Sequence, residues 1–382
     1  MVTLNSADNA LKSFYLEAVT DTLDNKTNPF LAKIEKTSKS VSGKDVKMAV
    51  KVGYNSGVSA GTEDGALPEA SGNRYLQYVT TLKNLYGTIE ISDKAIRASA
   101  NNEGAFVNLL NDEMQSLVKS ASYNFARMLF GSTEGIIAES QDINGEKVAV
   151  TDPYVFSEGM SVDAYSFEGE LLEYGKVVKS VDDSDGTITF EGGIGNITDA
   201  CYFYVHGSKG NELTGLASIF DDEILYGLDR THRVMKPYKM NNVNQINESV
   251  IQEAIDTIEK RSGGKINFIV CSWGVRRALI NYFKENQMSL STMELEGGFK
   301  ALSFNGIPVL VDRFCPAGTM YLLNTDDFKL CQLCDWQWLE AEDGKILKQV
   351  PGKAVYTATL VKYADLICER PCGQGRLSGI AE

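Results

Sequence analysis

Four cysteines offer the first chemistry to weigh. Cys331-Gln332-Leu333-Cys334, with Cys368 and Cys372 further on, could supply the thiolates of a tetrahedral zinc site or the dithiol of a redox pair. Yet Phe328 to Leu339 has strand character, and residues three apart on a strand point to opposite faces. A Cys-x-x-Cys pair closes on a metal through a turn, and neither Gly nor Pro lies between these two. Nor does the segment open a helix, as a thioredoxin-like pair would. Buried free thiols are the expectation, and a zinc- or thiol-dependent enzyme is the remote alternative.

The chain has only two histidines, His206 at the end of an expected strand and His232 in the loop Asp229-Arg230-Thr231-His232. Most general-base and metal-centre schemes therefore lose their usual group. Asp183-Ser184-Asp185-Gly186 has the look of a calcium loop. With Gly186 set at the obligatory glycine, Val181 falls at the first ligand position and Gly192 where a bidentate Glu belongs, which excludes an EF-hand. Gly263-Gly264-Lys265 lacks the upstream Gly and the following Ser or Thr of a phosphate loop, and Gly193-Ile194-Gly195 has no third glycine opening a helix. The carboxylates are too scattered to nominate a dyad. No catalytic, cofactor or metal site is expected, and the chain reads as a non-enzyme.

The elements say more than the motifs do. From Phe106 the apolar residues Leu109, Leu110, Met114, Leu117, Val118, Ala121, Phe125, Met128 and Leu129 recur at three-and-four spacing, the stripe of an amphipathic helix. Asn101 and Asn102 are candidate caps, Glu103 suits the positive end of the dipole, and Gly131 suits a left-handed position past the end. Such a helix is about 40 Å long. A shorter amphipathic helix is expected over residues 6 to 23, broken by Asn28-Pro29. Val46, Met48, Val50 and Val52 alternate with Lys47, Ala49 and Lys51, and Arg74 to Tyr86 is a second β-rich run. Between them lies a tip of Gly, Ser, Asn and acids, including Glu63, Asp64 and Glu69. A long hairpin is expected, with arms of about 30–40 Å that make sense if they lie across another subunit. The alternative is a hairpin folded back on its own domain.

Residues 138 to 207 read as an all-β block with strands at Lys147–Val150, Ser161–Tyr165, Lys176–Val181, Thr187–Phe190 and Tyr202–His206. Asp185-Gly186 is a hairpin signal within it, and the block suggests a small barrel or sandwich inserted into a host domain. A helix over Ile246 to Arg261, a strand over Ile266–Cys271, a helix from Trp273 to Phe283, strands at Ile307–Val311 and Met320–Leu323 and a β-rich stretch from Ala354 to Cys368 complete an α+β chain.

The totals agree with a globular protein of 382 residues, 43% hydrophobic and 23% charged, at net charge −14. That charge argues against gripping nucleic acid as the main task. No apolar run approaches a membrane span, the start Met1-Val2-Thr3-Leu4-Asn5-Ser6 does not read as a signal peptide, and seven unpatterned cysteines suit a reducing compartment.

Four stretches, in this order, resemble the major capsid protein of tailed bacteriophages, the HK97-type fold. They are Ile89-Glu90-Ile91-Ser92-Asp93-Lys94-Ala95-Ile96 with the long helix ending Phe130-Gly131-Ser132; Asn211-Glu212-Leu213-Thr214-Gly215-Leu216; Ile269-Val270-Cys271-Ser272-Trp273-Gly274-Val275-Arg276-Arg277-Ala278-Leu279; and Gly306-Ile307-Pro308-Val309, followed by Ala317-Gly318-Thr319-Met320-Tyr321 and Asp326-Asp327-Phe328. The resemblance covers about residues 28 to 370.

It implies an N-terminal arm at 1–36, an extended loop at 37–88 and a peripheral domain with the spine helix at 89–137, continued at 208–246. It further implies an axial α/β domain at 247–352 and a closing strand and C-terminus at 353–382. The block 138–207 departs from the simplest relatives and is taken as an inserted β domain. Lys47, Lys51, Glu63, Asp64, Glu69, Arg74, Tyr75 and Tyr78 are the residues expected to contact a neighbouring subunit. The implied function is a structural subunit of an icosahedral or prolate head, assembled as hexamers and pentamers around double-stranded DNA. Its partners would be copies of itself, a portal and a separate scaffolding protein, with only weak, non-specific contact to the DNA and none to a membrane. Its place would be the virion, after assembly in the bacterial cytoplasm. An encapsulin-like compartment shell is the alternative on the same fold.

Overall fold

In the computed structural model, which describes residues 28–53, 55–94, 103–286, 292–294, 300–340 and 346–382, the valine alternation becomes one side of a strand. The helix expected over 6–23 and the capping residues Asn101 and Asn102 lie outside the described residues. Strands β1 (Glu35–Thr37), β2 (Val41–Ser42), β3 (Asp45–Gly53), β4 (Arg74–Thr81) and β5 (Lys83–Ser92) come first. β2, β3 and β4 form an antiparallel sheet, with β3 and β4 in register from Asp45↔Thr81 to Lys51↔Tyr75. The run expected as one strand from Arg74 to Tyr86 is two. It breaks at Leu82, whose side chain is buried and whose N–H donates to Lys44 O at 2.9 Å.

Helix α1 (Glu103–Phe130) has 28 residues, about 42 Å at the α-helical rise. Met114, Val118, Phe125, Met128 and Leu129 are buried, while Glu113, Gln115, Ser116 and Lys119 are exposed. Its approach to β5 is close enough that a Cβ on Gly87 would stand 2.9 Å from Leu117 Cδ1, so a side chain there would force the Leu117 side chain to shift. The left-handed cap expected at Gly131 is absent. Its N–H is shared between Arg127 O and Met128 O, both at 3.2 Å, so the last turn tightens instead of reversing.

Strands β6 (Ile136–Asn144), β7 (Lys147–Val150), β8 (Ser161–Ser166), β9 (Leu171–Asp182), β10 (Thr187–Phe190) and β11 (Cys201–Val205) close into a barrel in the order β10-β7-β6-β11-β8-β9. Val148, Val162, Ile188, Cys201 and Phe203 fill it. Its first strand escapes the sequence reading because Ser140-Gln141-Asp142 interrupts the alternation, and the register shifts there. Asp185-Gly186 lies in the turn that sets Asp182 opposite Thr187, as its residue types required.

After α2 (Leu216–Asp221) come the short β12 (Ile224–Leu225), β13 (Leu228–Asp229) and β14 (Tyr238–Met240). Then follow α3 (Glu248–Ser262), β15 (Phe268–Cys271), α4 (Trp273–Glu285), β16 (Thr292–Glu294), β17 (Lys300–Phe304), β18 (Ile307–Val311) and β19 (Met320–Leu323). β20 (Phe328–Trp338), β21 (Lys348–Gln349), β22 (Val355–Cys368) and β23 (Gly375–Leu377) end the chain. A seven-stranded sheet runs β14-β23-β19-β15-β18-β17-β16, with β15 and β18 parallel across α4.

Both α3 and α4 cover one face of this sheet: Ile251, Ile255, Ile258, Val275 and Leu279 share a core with Ile269, Cys271, Met320 and Leu322. On the other face Phe268 meets Phe30 at 6.1 Å and Tyr321 meets Phe220 at 5.4 Å. Cover on both sides is why β15 and β19 are apolar at successive positions. α3 starts at Asn247, whose side chain accepts from Val250 N, and stops at Gly263 with φ +69°. A second sheet orders β1-β20-β22-β21, with β5 also paired to β22 over ten residues from Val355↔Ser92 to Ala364↔Lys83.

Two compact units result. One comprises the described residues up to Asn124 with Ile219–Glu382, the other Phe125–Ser218, and the division falls inside α1. The class is mixed α+β with few helices and mostly strands.

Candidate assembly interface

Alternation divides the hairpin into two faces. Val46 and Met48 are buried, with Tyr78 opposite Met48 and Thr80 opposite Val46. Lys47, Ala49 and Lys51 lie on the other face beside Tyr75, Gln77 and Val79, and all six are exposed. The covered face is tied to the body of the same unit at its root. Val79 N donates to Tyr226 O at 3.1 Å, and Thr80 Oγ1 donates to the buried Asp365 Oδ2 at 2.7 Å. Tyr78 stacks on Tyr226 at 5.3 Å and donates its hydroxyl to Glu369 O at 3.3 Å.

Tyr226 is the hub of this root. Its hydroxyl donates to Leu366 O at 3.1 Å and accepts from Cys368 N at 2.9 Å, and burial pushes its phenol well above the ordinary range. It holds φ at +53°, a left-handed conformation that costs a bulky residue energy. No periodicity signals such a residue; the following Gly227 is the sole hint of a turn.

Seven of the eight residues expected to meet a neighbour are exposed: Lys47, Lys51, Glu63, Asp64, Glu69, Arg74 and Tyr75. Tyr78 is corrected. It is fully buried in its own chain and its phenol is raised by burial, so it anchors the hairpin and offers no surface to another molecule. The exposed cations stand on the strands and the acids on the loop between them, so the hairpin is polarised along its length. Two contact candidates escaped the sequence reading. Val58 is 85% and Leu67 90% exposed, apolar side chains standing bare in a loop of Gly, Ser and acids. Their isolation among polar residues was the available signal.

The other chemistry-bearing residues lie in structural settings. All seven cysteines are free thiols. Burial pushes Cys331 up to about 11 and Cys271 up to about 12, which leaves them protonated and poor nucleophiles at neutral pH. The strand bulges between Gln332 and Cys334, and Cys334 is only half-buried. His206 lies beside the barrel carboxylate Asp163, Nδ1 to Oδ1 at 2.8 Å. Asp163 also accepts from Gly175 N and Gly207 N, so the group ties strand ends together. His232 is exposed and precedes a short 3-10 turn. Among the described residues no group of three His, Cys, Asp or Glu side chains gathers around a possible metal position.

No protein-family profile and no curated protein sequence matches the chain. Among solved structures, the cyanophage A-1(L) capsid asymmetric unit matches at TM-score 0.57 and 10% identity, over 94% of this chain and 94% of that one. The fold is that of a phage capsid subunit. Other capsid-fold structures are similar at lower scores. The SrpI encapsulin of Synechococcus elongatus PCC 7942 has TM-score 0.48 and 10% identity over 95% of each chain. The capsid of an empty GTA particle has 0.49 and 10%, over 95% of this chain and 90% of that one. At such identity the capsid fold rests on the order and pairing of elements, not on individual side chains.

Proposed function

We propose that this chain is the major capsid protein of a tailed phage, a structural and non-catalytic subunit. Copies associate as hexamers and pentamers into an icosahedral or prolate head that encloses double-stranded DNA. In this reading residues 37–88 are the extended loop that lies on a neighbouring subunit. Residues 89–137, 208–246 and 353–382 form the peripheral domain, 247–352 the axial domain, 1–36 the N-terminal arm and 138–207 an inserted β domain. A portal and a separate scaffolding protein are its expected partners, assembly takes place in the host cytoplasm, and the mature chain resides in the virion.

The hairpin carries this reading. Its root is bonded into its own chain, while its outer face and loop, including Val58 and Leu67, stand exposed. A hairpin built for its own domain would bury those side chains. Extended limbs give a shell subunit large contact area without a large core. Negative-stain electron microscopy of the purified chain, over a range of salt, tests it. Shells, tubes or rings of five and six are expected, and dispersed single chains under all conditions would refute it.

A further inference from the structure

α3 and α4 lie on the same face of the seven-stranded sheet and turn their far sides to solvent. Those outer stripes carry opposite charge. On α3, Glu253 and Asp256 are exposed and Glu248 half-buried, with Lys260 entering only at the C-terminal end. On α4, Arg277 and Lys284 are exposed beneath Trp273, which is 57% exposed. Residues 273, 277 and 284 fall within about 40° of one another on the helical wheel, so they form one stripe. Trp and Arg together are the side chains that most often anchor protein interfaces.

We infer that the acidic stripe of α3 docks on the Trp273–Arg277–Lys284 stripe of α4 in a second copy of this chain. The occupant follows from the charges. A two-fold contact of α3 on α3, or of α4 on α4, would set like charges against each other. Pairing α3 of one copy with α4 of the next sets acid against base, and a single such pair leaves the first copy's α4 stripe and the second copy's α3 stripe free. The pairing either repeats head to tail, closing into rings when the rotation between copies allows, or forms twice about a two-fold axis, because both stripes share one face of the sheet. The inference rests on the shell reading above and gives it a particular contact.

Charge reversal tests it on the full-length chain, with assembly followed by sedimentation and electron microscopy. Glu253→Lys with Asp256→Lys, and separately Arg277→Glu with Lys284→Glu, should each lower the assembled fraction about tenfold or more at the lowest salt at which the wild type assembles. All four substitutions combined should restore it. The positions are exposed, so circular dichroism and the melting temperature should stay those of the wild type, separating loss of docking from loss of fold. If the wild type assembles and either pair of reversals leaves assembly intact, or the combination fails to restore it, this contact is wrong and the shell reading stands. A wild-type chain that stays monomeric overturns both.

Discussion

Tyr226 joins the hairpin to the sheet beneath it through one strained residue. Its carbonyl holds β4, and its hydroxyl bridges Leu366 and Cys368 on β22. Tyr226→Phe keeps the ring stack and the backbone but leaves two buried backbone groups without their partner, a cost of about 1–3 kcal/mol. Chemical denaturation should show that loss, and hydrogen exchange at Val79 should quicken. Asp312 offers a second test at this scale. Burial pushes its carboxyl up to about 6 from 3.8, with only the Phe314 N–H working the other way. A carboxyl raised on folding contributes stability below its unfolded value and loses it as pH rises through the folded one. Ionisation at neutral pH therefore costs up to about 3 kcal/mol. Asp312→Asn keeps the acceptor for Phe314 N, so it should raise the unfolding free energy by about 1–3 kcal/mol near neutral pH, the gain fading below about pH 4. Urea melts across that range would measure it.

Among the elements, those that follow a simple period could be read from residues alone. The stripe of α1 and the alternation of Val46 to Val52 declare themselves because one-sided burial imposes a period, and β15, β18 and β19 because burial leaves them apolar throughout. What stayed hidden depends on partners remote in sequence. β6 bulges at Ser140–Asp142, β4 gives way to β5 at Leu82, and β9 reaches back past Gly175 at φ +65°. The candidate interface is half legible. Charge and exposure on the strands follow from alternation, but nothing in the sequence places Tyr226 against Tyr78. Val58 and Leu67 yield the prediction for the hairpin. Changing both to Asp removes no packing within the chain, so stability should move by less than about 0.5 kcal/mol. If these side chains are buried by a neighbour, assembly should fall about tenfold or more, as read by sedimentation.

For the molecule as a whole, the charge is unevenly spread. Residues 136–207 hold 14 Asp and Glu against 3 Lys, a net −11 of the chain's −14. The remaining residues are near neutrality, at −3 by difference. Repulsion between copies is therefore concentrated in the barrels, and light scattering should show assembly that strengthens with ionic strength. Ile136 and Tyr204 pair on adjacent strands, so the barrel's two ends can be joined by a short linker. A chain so shortened should assemble with a much weaker salt dependence, and an unchanged dependence would place the repulsion elsewhere.

The most direct test is a cryo-electron microscopy map of the assembled particle in which the loop from residue 55 to residue 73 is traced. The expected result is Val58 and Leu67 seated against a neighbouring subunit, with the hairpin still rooted on Tyr226 of its own chain. Finding that loop folded onto its own subunit, in a particle or in a compact monomer, would contradict the account.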